Sequence, residues 1–294
     1  MALNGVEQAS VSFHDNTKVN RLDSHTYAVH LHENFRIGSV INGGYTASCI
    51  LGAATEYLSS RGQPDALTAH FEFPNRTIVG PAIVMIEDVK PGRQLSILHL
   101  SLWQGGLLPQ APWATPASRR KVLAYATFTN LRTSVGISIP TGYEITPAAA
   151  LKSDTDRVWG EEKMPKAVGY LRSLRNWRFY SPRGGPPTPG VLDLWVCLAN
   201  GDRITQGALA YVTDSLPHDM HHSLCPVFNK KPLPEEGVEW LAVRVSLKQI
   251  KNGRFDLDLL VRDAEGELVA LSQHVAMIVS MDNNTGKSPN KAVL

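Results

Sequence analysis

The chain predicts an α+β fold built twice, and three observations carry that expectation. The tetrad Lys90-Pro91-Gly92-Arg93 returns as Lys251-Asn252-Gly253-Arg254, and its glycines lie 253 − 92 = 161 residues apart. That separation is far above the period of solenoids or propellers and is the length of a domain. Segments flanking the two tetrads recur in the same order, and the strand-like stretches alternate apolar with polar residues.

Taken in order, residues 28–37 (AVHLHENFRI) are similar to residues 195–204 (WVCLANGDRI): an apolar run, a polar turn with Asn, then Arg-Ile. Each leads to glycine, through Ile41-Asn42-Gly43-Gly44 or Thr205-Gln206-Gly207. A helix-length segment of small and apolar residues follows, 45–58 in the first copy and 208–216 in the second. Beyond each tetrad come a strand, a glycine turn (Gly105-Gly106, then Glu265-Gly266) and another strand, over 122–128 or 268–279. Glycine suits these hairpins because tight reversals need positive φ. Leu241, Val243, Val245 and Leu247 interleave with Ala242, Arg244 and Ser246, and Phe255, Leu257 and Leu259 with Asp256 and Asp258. That is the period of half-buried strands. Each copy therefore reads as a curling antiparallel sheet whose apolar face only the one helix can cover.

The expected organisation is an N-terminal copy at 1–133, a connection at 134–190, a C-terminal copy at 191–281 and a disordered tail at 282–294. Residues 107–118 carry three prolines where the second copy has a tight turn, so they read as a loop inserted into a hairpin. Trp113 in that loop either belongs to a lid or packs on its own domain. Residues 182–190 are too rich in proline and glycine for a core.

With 43% hydrophobic and 19% charged residues the chain has the composition of a globular protein, and its net charge of +2 leaves no nucleic-acid footprint. No apolar run reaches the length of a membrane span, and the N-terminal residues have no signal-peptide character. Cys49, Cys197 and Cys225 are odd in number and far apart, which fits reduced thiols. His218, Asp219, His221 and His222 form the one cluster near metal spacing, too tightly packed to converge on an ion; no metal and no cofactor are expected.

A helix starting at a glycine pair, wrapped by an antiparallel sheet and present twice, resembles a double hotdog. The motifs that carry the resemblance are Val40-Ile41-Asn42-Gly43-Gly44, Ala69-His70-Phe71-Glu72-Phe73 running toward Gly80-Pro81, Leu209-Ala210-Tyr211-Val212-Thr213-Asp214 and Val269-Ala270-Leu271-Ser272-Gln273. They are similar to the type II acyl-CoA thioesterases and their fungal thioesterase-like relatives, over roughly 23–131 and 191–280. The resemblance implies hydrolysis of acyl thioesters without nucleophilic serine or cofactor, by a water held by an Asp, a Gln and a Thr. Asp214 falls on the aspartate and Gln273 on the glutamine. No threonine stands where the third residue is expected, near 221–223; Ser223 is the hydroxyl available there.

The residue types suit these roles. A carboxylate desolvated among Leu209, Ala210, Val212 and Leu216 has raised proton affinity, as a general base for water needs, and an amide offers both donor and acceptor. Asn42, Gly43 and Gly44 present backbone N–H groups to a substrate carbonyl or serve as cap and turn, and His70 is a further substrate-binding candidate with a competing structural role. Laying Gly44 on Gly207 sets Leu51 opposite Asp214, and laying Leu123-Ala124 on Val269-Ala270 sets Thr127 opposite Gln273. One copy then lacks the acid, which predicts a single site.

The expected function is an acyl thioesterase acting on acyl-CoA or an acyl carrier protein. Its rivals are a non-hydrolytic tailoring enzyme of secondary metabolism (dehydration, isomerisation or cyclisation of a polyketide-like intermediate) and a silent acyl-binding protein. A homo-oligomer is possible by analogy with other hotdog pairs; no nucleic acid or membrane partner is expected. Ala292-Val293-Leu294 is not a peroxisomal address, so the cytoplasm is the expected location.

Overall fold

The computed structural model describes residues 11–139, 157–162, 171–216 and 227–277. The first half begins with helix α1 (Phe13–Asn16), strands β1 (Asn20–Arg21) and β2 (Thr26–Leu31), and a small ribbon of β3 (Arg36–Ile37) and β4 (Val40–Ile41). It continues with α2 (Gly43–Leu58), β5 (Asp65–Glu72), β6 (Gly80–Lys90), β7 (Ser96–Gln104) and β8 (Arg119–Thr129). The second half contains β9 (Trp159–Glu161), β10 (Trp177–Pro182), β11 (Val191–Leu198), α3 (Leu209–Thr213) and β12 (Val227–Asn229). It ends with β13 (Leu241–Ser246), β14 (Ile250–Lys251), β15 (Arg254–Arg262) and β16 (Leu268–Met277).

All strands except β3 and β4 belong to one antiparallel sheet whose central order is β2-β6-β7-β8-β5-β12-β16-β15-β13-β11. Read from its middle, this order is a palindrome: β5 and β12 correspond, as do β8 and β16, β7 and β15, β6 and β13, and β2 and β11. The halves join edge to edge where Val227 pairs with Ala69 and Phe228 with Thr68. The twin tetrads lie at the turns of the paired hairpins, with Asn252 and Gly253 at positive φ, and Gly105, Gly106 and Gly266 take the positive φ expected of their turns. This is the doubled α+β fold that the repeat predicted, and the double hotdog that the resemblance implied.

Each sheet half turns its alternating apolar residues toward a helix. Val84 and Ile86 of β6, Leu98, Leu100 and Leu102 of β7, and Ala124, Ala126 and Phe128 of β8 are buried in the core that also holds α2. Leu194 and Val196, Val243 and Val245, and Leu257 and Leu259 repeat the pattern in the second half. Burial of each large side chain contributes about 1.5–3 kcal/mol, which is what holds a sheet of this curvature on so few helical residues. Where the halves meet, Phe35 stacks on Tyr45 with ring centroids 3.9 Å apart, and Phe13 stacks on Tyr211 at 5.3 Å. A separate cluster of Trp159, Tyr180, Trp195 and Ala242 lies on the opposite face of the second half.

The two helices differ in length. α2 runs for 16 residues and is clamped at its end, where Arg61 donates two 2.8 Å bonds to Asp88 and Tyr57 donates one of 2.5 Å. That guanidinium, with the tyrosine, holds the Asp88 carboxyl down to about 2 against the opposing effect of burial. α3 has five residues, preceded by a 3-10 turn over Gln206–Ala208, and ends at Asp214. The proline-rich residues 107–118 do form a loop in the β7–β8 hairpin, and the indole of Trp113 donates a 2.5 Å bond to Asp23 of its own half. Residues 183–190 are exposed. Among the described residues no helix is long and apolar enough to cross a membrane. The tail and the His218–His222 cluster lie outside the described residues.

Candidate active site

Asp214 is the C-cap of α3 and is 4% exposed. Its place follows from the packing of α3 on the N-terminus of α2. A Cβ on Gly44 would stand 2.3 Å from the carbonyl oxygen of Ala210 and 2.6 Å from Cβ of Asp214, so only glycine permits this approach. The backbone N–H of Gly44 donates to Asp214 Oδ2 at 2.7 Å. Asn42 caps α2 by accepting from the N–H of Tyr45 at 2.8 Å, and its Nδ2 donates to the Asp214 carbonyl at 3.2 Å. The helix N-terminus thus meets an anion, but the anion belongs to the protein.

Burial pushes the Asp214 carboxyl up to about 7, opposed by the N–H groups of Gly44 and Gly43 and by the Asn42 amide. Desolvation outweighs the donors, the reverse of an exposed capping aspartate. Oδ1 is buried and has no hydrogen-bond partner among the described residues. Such an atom is an acceptor for a group that enters from outside, because leaving it unpaired costs about 1–3 kcal/mol. A carboxyl titrating near neutrality with one oxygen free is equipped to accept a proton from bound water.

The other sequence candidates fall elsewhere. Asn42, Gly43 and Gly44 come together with Asp214, where they hold the carboxylate. Gln273 is exposed on the outer face of β16, because strand alternation turns Ser272 and His274 inward. His70 is also on an outer face, 52% exposed on its side chain and 3.1 Å from Glu72. Ser223 lies outside the described residues. Among the described residues no group of three or more His, Cys, Asp or Glu is placed to hold a metal ion.

One inward pair escaped the sequence reading. Ser272 Oγ and His274 Nε2 are 2.9 Å apart and both residues are buried. Burial lowers the His274 imidazole to about 4, so it is neutral at neutral pH. With Thr127 laid on Gln273, these residues take the places of Ala126 and Phe128; that substitution of polar for apolar was the available signal. Past Leu216, two residues beyond Asp214, lies an apolar cleft of about 270 Å³ lined by Pro186, Gly190, Val191, Leu192, Val245, Leu247 and Leu257 as well as Leu216.

These features match a known class. Residues 31–129 match the family model described as the acyl-CoA thioesterase N-terminal domain, and residues 147–278 match the acyl-CoA thioesterase C-terminal domain. The chain belongs to this thioesterase family. It is 54% identical to the thioesterase-like protein TwmA of Talaromyces wortmannii, over 331 aligned residues and 95% of each chain. Solved structures share the fold at lower identity. A hot-dog-fold protein of unknown function from Alicyclobacillus acidocaldarius superposes with a TM-score of 0.70 at 18% identity, covering 92% of this chain and 100% of that one. The acyl-CoA thioesterase II TesB2 of Mycobacterium marinum does so with 0.61 at 17%, covering 90% and 97%.

Proposed function

We propose that the protein hydrolyses an acyl thioester, carried on CoA or a carrier protein, with Asp214 as the general base. The observation that carries this reading is the buried Asp214 carboxylate, fixed through Oδ2 by the start of α2 and with Oδ1 unpaired among the described residues. A water donating to Oδ1 gives up a proton as its oxygen attacks the thioester carbonyl. The C–S bond of the resulting tetrahedral oxyanion breaks, and the proton held by Asp214 goes to the departing thiolate. Products are the free acid and the thiol. Asn42, Gly43 and Gly44 act as positioning residues for the carboxylate.

The test is thiol release from a series of acyl-CoAs. Asp214→Asn keeps the shape of the side chain and its acceptor toward Gly44 but removes the base, and is expected to lower kcat by about 10²–10⁴. Turnover unaffected by that change overturns the mechanism. Gln273 and Ser223 enter the reading as candidates to orient the water. For Gln273, a loss in Gln273→Ala near that of Asp214→Asn gives it a place beside the water, and an unchanged rate leaves it on the surface.

A second reading, proton transfer within the acyl chain without hydrolysis, is favoured by one observation: the buried Ser272–His274 pair, which supplies a neutral imidazole on the inner face. Product mass separates the two, since hydrolysis adds water and frees the thiol.

A further inference from the structure

We propose that Ser48 completes the site from the first half: its hydroxyl and the second oxygen of Asp214 hold one small polar group between them. The proposal rests on the thioesterase reading for the identity of that group, which is then the attacking water, and on two unpaired atoms for its place. Ser48 Oγ, like Asp214 Oδ1, is buried with no hydrogen-bond partner among the described residues. Ser48 as a whole is 2% exposed.

A buried serine or threonine on a helix has a ready partner in a carbonyl of the preceding turn. The other buried hydroxyls of this kind on α2 and α3 use it: Thr46 donates to the Asn42 carbonyl at 3.0 Å, and Thr213 to the Ala210 carbonyl at 3.1 Å. Ser48 does not, although an unpaired buried hydroxyl costs free energy. Its donor is left for a group that enters from outside.

The position of Ser48 on α2 brings it toward Asp214. Residues four apart share a helix face, so Ser48 stands one turn beyond Gly44, on the face against which Asp214 packs. Helical Cα–Cβ bonds tilt toward the N-terminus, so the Ser48 side chain leans back over the turn of Gly44. A Cβ on Gly44 would stand 2.6 Å from that of Asp214, and Cβ atoms four residues apart on a helix are about 5–6 Å apart. The Cβ atoms of Ser48 and Asp214 therefore lie within about 9 Å of each other. Two short side chains and one bridging water span that distance at about 2.8 Å per hydrogen bond.

The two residues divide the chemistry. Asp214 Oδ2 is taken by the N–H of Gly44, so Oδ1 accepts one proton of the water. Ser48 donates to one lone pair of the water oxygen and leaves the other for the thioester carbonyl carbon. The water proton passes to Oδ1 and then to the departing thiolate, while Ser48 keeps its own. A hydroxyl with this task sets kcat and leaves acyl-CoA affinity alone.

Ser48→Ala removes the hydroxyl and little else. It is expected to lower kcat for thiol release by about 10- to 100-fold with KM within about twofold, and Ser48→Thr to keep at least about a third of the wild-type rate. In an Asp214→Asn background Ser48→Ala is expected to cost less than about twofold, because the water it orients then has no base. Urea titrations of the four proteins of that cycle give a readout apart from activity, and the unfolding constants are expected to be non-additive by about fivefold. If Ser48→Ala does not fold, Ser48→Cys, close in volume and a weak donor, takes its place. Additive unfolding constants, or an unchanged kcat in the folded variant, overturn the proposal. Coupled unfolding constants with no thiol release by wild type from any acyl-CoA keep Ser48 beside Asp214 and overturn the hydrolytic reading alone.

Discussion

The two halves differ most where they correspond best. β8 turns Ala124, Ala126 and Phe128 inward, and β16 turns Ala270, Ser272 and His274 inward at the equivalent places. α2 carries the half-buried Leu51 where α3 ends in the buried Asp214. At these places one half sets apolar residues under a full-length helix; the other sets a buried acid and a buried imidazole beside a short one. Duplication supplied two scaffolds, and because each helix packs on the other, the first half holds the acid of the second through Gly44.

The largest expected effect breaks the difference at Asp214. Its carboxyl titrates near 7 in the folded chain and near 3.8 unfolded, so the folded state binds the proton more tightly. This contribution to stability is fully present below about pH 3.8 and is lost as pH rises through about 7, by an amount on the order of a few kcal/mol. Denaturant titrations between pH 5 and 8.5 are expected to show stability falling through this window for wild type, with that component absent from Asp214→Asn.

The next effect tests the contact between helices. Gly44→Ala drives a Cβ into backbone and is expected to cost about 3 kcal/mol, whereas Gly207, its counterpart, has no atom within 4 Å of the added Cβ. Gly207→Ala is expected to be neutral or to stabilise by about 0.5 kcal/mol. Thermal melts of both variants make the comparison. Equal losses would show that the helices meet symmetrically.

A smaller effect makes the second half resemble the first. His274 titrates near 4 when folded and near 6.5 unfolded, so its stabilisation is present above pH 6.5 and lost as pH falls toward 4. This slope opposes that of Asp214, and Asp214→Asn exposes it. His274→Phe, the residue at the corresponding place in β8, is expected to remove it, a difference of about 1–2 kcal/mol at pH 5 in denaturant titrations.

The fold was legible because repetition is a property of the chain: the twin tetrads, the glycine-led helices and the period-two strands all lie within short windows. Asp214 was singled out through the resemblance, to which an acid among Leu209, Ala210, Val212 and Leu216 added a local conflict with its surroundings. Gln273 shows where reading along the chain stops. Its type and position suited the site, yet one residue of strand phase separates the exposed face from the buried one, and the inward pair is Ser272 and His274. The reach of Gly44 to a carboxylate 170 residues away was likewise invisible, because no local pattern records which helix end an acid will cap.

By itself, then, the sequence determined the doubled α+β architecture and the helix starts, because propensity and periodicity act over a few residues. Only the tertiary structure decided that the glycine pair serves Asp214, which face of β16 points inward, and where the apolar cleft opens. The first of these depends on the close approach of α2 to α3, which follows from packing between segments far apart in the chain.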